Sequence, residues 1–239
     1  MALRTEKTTL AIVSALVWLT PASFAQEFRY PVRHGKHSGT LSVSNSGLSF
    51  EGAHQTFDWP FQEIHQLKLG PKSLTVLTYQ NNRWKMGAER QYKFDLEFGD
   101  TQNVYPFLKN RLDQRFVAVF AEPEENLLWE IPVKHLLRFS GSDGVLRVGM
   151  DAIVFSSEST AQSRTWRFQD ISNVSSAGPF QMTITTFERA AAHFGNLKDF
   201  NFELKEPLDE ARFNALWLQL NQAKGLEVLR TYREMLARE

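Results

Sequence analysis

The stretch Gly39–Phe50, GTLSVSNSGLSF, returns further along the chain as Gly144–Phe155, GVLRVGMDAIVF, and this repeat restricts the possible folds more than any other feature. Gly39, Leu41, Val43, Leu48 and Phe50 are matched by Gly144, Leu146, Val148, Ile153 and Phe155. The match extends outward in both directions. Tyr30-Pro31-Val32-Arg33-His34 returns as Ile131-Pro132-Val133-Lys134-His135, and Trp59, Phe61 and Ile64 return as Trp166, Phe168 and Ile171. Beyond these, Gly70-Pro71 and the alternating Tyr92, Phe94 and Leu96 reappear as Gly178-Pro179 and Phe200, Phe202 and Leu204. The spacing between matched positions drifts by only a few residues, and only in polar or glycine-containing stretches, where insertions are tolerated. The order of elements is kept throughout, so the chain reads as a tandem duplication.

Within each copy the apolar period is 2. Leu41 and Val43 alternate with Ser42 and Ser44, and Phe94, Leu96 and Phe98 with Asp95 and Glu97, as strands with one buried face require. Asn45-Ser46-Gly47 and Gly52-Ala53-His54 supply turn chemistry between them. The period then changes. Phe107, Leu108, Leu112 and Phe116 lie at helical spacing within Val104–Val117, as do Phe213, Leu216, Trp217 and Leu220 within Leu208–Ala223. Each copy is therefore expected to hold about seven short strands closed by one amphipathic helix. The expected boundaries are 26–121 for copy one, a linker at 122–126 marked by its acidic run, 127–224 for copy two, and a short terminal helix over 225–239.

The first residues differ from the rest. Arg4 and Lys7 precede the apolar run Thr8–Thr20, Pro21 breaks it, and Ser23-Phe24-Ala25 places small residues where a signal peptidase cleaves. Residues 1–25 therefore read as a secretory signal, with the mature protein periplasmic or extracellular after cleavage following Ala25. Cysteine is absent, so an exported chain of this kind relies on packed cores rather than disulfides. Net charge is zero, which argues against a general polyanion binder and against nucleic acid as a partner, and leaves room for a local basic patch. Membrane association is expected to be peripheral at most.

Seven antiparallel strands in two nearly orthogonal sheets, closed by a C-terminal helix and occurring twice, resemble the pleckstrin-homology superfold and its bacterial PH-like and GRAM-like relatives. The implied fold class is mainly β with helices, a β-sandwich or partly open barrel in each of two tandem domains. The resemblance makes Trp217 the counterpart of the tryptophan in the family's C-terminal helix. It also implies that the loops after strands one, three and six gather at the open end. In copy one these loops are Arg33–Ser38, Gly52–Thr56 and Gln80–Gln91. They hold Arg33, Lys36, Arg83, Lys85 and Arg90 against Glu89, with His34, His37 and His54 besides. The copy-two loops hold four basic and three acidic residues. Copy one is thus the better place for an anion. The candidate ligand- or partner-binding residues are Arg33, Lys36, His37, Arg83, Trp84, Lys85 and Arg90, facing a protein or an anionic surface group. The family's phosphoinositide motif is met only in part, because Thr40, Ser42 and Ser44 stand where strand two should carry bases.

Catalytic signatures are lacking. His34-x-x-His37 offers two of the three or four ligands that zinc needs. Gly141-Ser142-Asp143-Gly144 reads as a turn rather than a nucleophile elbow, and no glycine-rich phosphate loop precedes a helix. No catalytic residue, metal or cofactor is predicted, and the expected function is that of a non-enzymatic binding or scaffold protein. Two rival readings are a hydrolase or metal-dependent enzyme working between the copies through His34, His37 or Glu124, and a lipocalin-like carrier of small apolar ligands.

Overall fold

The computed structural model describes residues 26–82, 88–123, 126–159, 162–190, 197–223 and 225. The expected signal peptide, the segment Arg83-Trp84-Lys85, Glu124 and the residues after Gly225 where a terminal helix was expected lie outside the described residues. Among the described residues the chain is mainly β, with two α-helices, and no helix is long and apolar enough to cross a membrane.

The first half runs β1 (Phe28–His34), β2 (His37–Val43), β3 (Gly47–Gly52), β4 (Thr56–Pro60), β5 (Ile64–Gly70), β6 (Ser73–Asn81), β7 (Glu89–Leu96), helix α1 (Tyr105–Lys109) and β8 (Phe116–Ala118). The second half follows with β9 (Leu127–Leu136), β10 (Gly141–Gly149), β11 (Ala152–Ser157), β12 (Arg164–Arg167), β13 (Ile171–Ser176), β14 (Gln181–Arg189), β15 (Leu197–Leu204) and α2 (Glu210–Ala223). The pairing of β9–β15 repeats that of β1–β7. β1 lies between β2 and β7 with Val32 opposite Leu96, and β9 lies between β10 and β15 with Val133 opposite Leu204. In the repeated hairpin Leu41 faces Phe50 and Leu146 faces Phe155. A Cβ at Gly39 would run into the Phe50 ring and the Glu51 carbonyl, and one at Gly144 into the Phe155 ring and the Ser156 carbonyl. Both positions therefore require glycine for the same steric reason.

The inward residues of the alternating strands form two separate cores. One is built from residues between Tyr30 and Phe120, with Leu41, Phe50, Trp59 and Phe94 at its centre. The other lies between Ile131 and Leu220 around Leu146, Phe155, Trp166 and Phe202. On α2, Leu216 and Leu220 face this second core, and Asp209 Oδ1 accepts the Arg212 backbone N–H at 2.8 Å to satisfy the helix start. Trp217, grouped with Leu216 and Leu220 by its helical spacing, is 40% exposed and is not among the buried residues of that core.

The helix expected across Val104–Val117 is cut to a single turn. After α1 the chain turns at Asp113, whose Oδ1 accepts the Arg115 backbone N–H at 3.0 Å, and enters β8. That strand runs parallel to β5, with Leu67 opposite Phe116 and Leu69 opposite Ala118, and Ala118 also pairs antiparallel with Thr165 of β12. The apolar spacing located the buried residues, since Phe107, Leu108, Leu112 and Phe116 are all buried. It mistook the backbone because a free edge of β5 competes for this segment's amide groups. As a result the strands of the described residues join one sheet of 15, in which β8 links the two halves.

Candidate functional site

At the open end of the first half, Arg33 lies next to the last residue of β1 and is exposed, and Lys36 is exposed on the tight turn that Gly35 makes with φ +61°. His37 begins β2 and sets its ring 5.8 Å from that of His54 on the neighbouring turn. Arg90, exposed near the start of β7, holds its guanidinium 5.8 Å from the centre of the Tyr92 ring. Between these loops lies a cavity of about 290 Å³ lined by His34, Gln55, Phe57, Asn82, Arg90, Gln91 and Tyr92. Of the candidate residues only Arg90 lines it. Arg33, Lys36 and His37 do not, and Arg83, Trp84 and Lys85 lie outside the described residues.

His34 is a structural member of this cup. Its Nδ1 lies 2.9 Å from the Lys93 carbonyl, which can only accept, so Nδ1 carries the proton. The ring sits among Phe50, Phe57, Tyr92 and Phe94 at centroid distances of 5.1 to 6.1 Å. Among the described residues no group of three or more His, Cys, Asp or Glu side chains could hold a metal ion.

The second half builds the same cup and closes it. His135 occupies the place of His34, with Phe155, Phe200 and Phe202 at 5.6, 5.6 and 5.1 Å. Lys198 takes the place of Arg90, its Nζ 4.6 Å from the Phe200 ring centre, and Arg164 takes that of Phe57. Glu188 fills the interior. It is 3% exposed, and its Oε1 accepts from Lys198 at 2.8 Å and from Lys68 of β5 at 2.7 Å. Burial alone would raise the Glu188 carboxyl, but the two ammonium groups outweigh it and hold the group below the usual carboxylate range. Burial, reinforced by Arg164 and Lys198, pushes His135 down to about 4. Beside this network Glu89 of β7 binds both His65, at 2.6 Å, and Arg189 of β14. Lys68, Glu89, Glu188 and Arg189 were not identifiable as partners from the sequence, because Lys68 reads as a solvated strand position and the other three fall in expected loops.

A larger groove of about 910 Å³ runs between the halves, on the side of α1, and its walls include Tyr105, Lys109, Glu122, Met150, Asp151 and Arg167. Arg167 binds Asp170 at 2.6 Å and donates to the carbonyls of Lys109, Leu112 and Asp113, where the helical turn ends. Burial and the adjacent Glu122 push the Tyr105 hydroxyl up. The rival enzymatic reading placed a site between the copies through His34, His37 or Glu124. The two histidines lie at the open end instead, and Glu124 is outside the described residues.

No protein-family model matches the sequence, and no curated protein matches it. Among solved structures, the C-terminal domain of an unknown protein from Leishmania infantum is 15% identical over 40% of this chain and 84% of its own, with a TM-score of 0.30. The Spt16D Pob3N heterodimer is 15% identical over 76% of this chain and 97% of its own, with a TM-score of 0.28. Similarity at these levels carries no argument about function.

Proposed function

We propose that the chain is an exported, non-enzymatic binding or scaffold protein made of two pleckstrin-homology-like units in tandem. The open end of the first unit meets an anionic group on a protein or surface partner. One observation carries the reading: of two equivalent cups, the second is closed by an ion network with the first half, and the first is accessible and rimmed by exposed Arg33, Lys36 and Arg90. The matching strand registers and the two separate cores support the tandem arrangement. Charge reversal of the rim by Arg33→Glu together with Lys36→Glu should weaken binding of the full chain to polyglutamate and flatten its dependence on salt. Unchanged binding and an unchanged salt slope would reject the rim as the contact.

A further inference from the structure

The two cups match residue for residue, so the contents of one bear on the other. His34 and His135 lie at the same register, each beside the strand that closes the unit. Thr78 donates to the Arg90 carbonyl at 3.3 Å and Thr186 to that of Lys198 at 3.2 Å. The same hydroxyls accept from the backbone N–H of Gln80 at 3.4 Å and of Glu188 at 3.3 Å. Gln80 is thus the counterpart of Glu188, and it is exposed. In the second half the chain places its own carboxylate beside the cation on the aromatic wall. In the first half the cation and the wall are present, as Arg90 over Tyr92, and among the described residues no acid lines the cup.

We propose that the cup of the first half binds a carboxylate group, paired with Arg90 over the Tyr92 ring as Glu188 is paired with Lys198 over the Phe200 ring. This rests on the reading of that end as the binding end and adds the ligand's chemistry. Three features favour a carboxylate on a short apolar stem. The guanidinium of Arg90 is a planar fork that matches two carboxylate oxygens, a match that an ammonium lacks. Phe57 stands where the second cup has Arg164, so the wall opposite the cation is apolar. At about 290 Å³ the cavity is at the lower limit for a small-molecule site and suits one side chain. The occupant is not a second copy stacked as the first half stacks on the second. Lys68 of β5, which closes the second cup, corresponds by register to Ser175 of β13, which has no charge to offer. The carboxylate therefore comes from an acidic side chain of a different protein or from a small free acid.

The test is a titration of isotope-labelled full-length protein, following the Arg90 Nε–H and His34 ring signals by NMR. N-acetylglutamic acid α-amide stands for a protein side chain, butyrate for a free acid and N-acetylglutamine amide for a neutral control. Saturable shifts with the acids and none with the neutral amide are expected, and a tighter response to the acetylated residue than to butyrate would assign the source to a protein. Arg90→Gln should weaken the response roughly tenfold or more, as loss of a charge-assisted pair does. Gln80→Glu should supply the missing acid internally, abolish the titration and shift the Arg90 signal with no probe added. Equal shifts with acid and amide, or a Gln80→Glu protein that titrates as the native one does, would overturn the proposal. If the acids leave Arg90 unmoved while rim charge reversal still weakens polyglutamate binding, the cup fails and the rim reading stands. If the acids titrate and the rim reversal has no effect, the rim fails instead.

Discussion

His34 and His135 show how one residue type in one place can carry different physics. The first donates Nδ1–H to the Lys93 carbonyl, whereas the Nδ1 of the buried second finds no partner among the described residues. With His135 lowered from 6.5 to about 4, the unfolded chain takes up a proton before the folded one does. Its contribution to stability is therefore complete above pH 6.5 and is lost as pH falls towards about 4, to the extent of about 3 kcal/mol. Urea midpoints measured across that interval should decline, and His135→Phe should flatten the decline; an equal slope in the variant would assign the acid sensitivity elsewhere. Glu188, also lowered, adds to the loss at still lower pH. Glu188→Gln leaves two ammonium groups facing a neutral amide and should cost about 3 kcal/mol in urea unfolding, with Lys68→Met added on top restoring part of it. The histidines were legible in the sequence as repeated positions. The lowering of His135 was not, because it depends on burial of the ring and, after that, on Arg164 and Lys198 folding back beside it.

At the scale of elements, the strands were readable because each buries one face, so alternation in the sequence is alternation in space. Helix α1 and β8 were not, since Phe107, Leu112 and Phe116 satisfy helical spacing, and the neighbour that draws Phe116 into the sheet lies far away in sequence. Two substitutions test that joint. Thr165 accepts the Glu122 backbone N–H at 2.9 Å and donates to the Phe120 carbonyl at 2.8 Å, so Thr165→Val keeps the volume and removes both bonds. A loss of about 2 kcal/mol is expected from the two groups left unmatched. Val119→Pro removes the bond from Val119 N–H to the Leu69 carbonyl at 2.7 Å and should cost about 3 kcal/mol in thermal or urea unfolding. Unfolding free energies within error of the native protein would show that β8 lies beside β5 without contributing to stability.

For the molecule as a whole, each half has a core large enough to fold, yet the halves share a sheet, an arginine that binds the end of the opposite helical turn, and two ion networks. Unfolding in urea should therefore appear as one transition whether followed by tryptophan fluorescence or by far-ultraviolet circular dichroism. Two separated transitions would mean that the shared contacts are too weak to couple the cores. The repeated strand pattern was visible in the sequence, and the asymmetry between its two occurrences was not, since it arises from Lys68 reaching a cup that only the second half fills with an acid. The sheet also bears on how the molecule deforms. A chain of two units joined by a linker bends at the linker, but here the segment leading into the second unit is flanked by β5 on one side and β12 on the other. Bending the two halves apart would therefore have to break backbone pairing on β8, with β5 on one side or with β12 on the other.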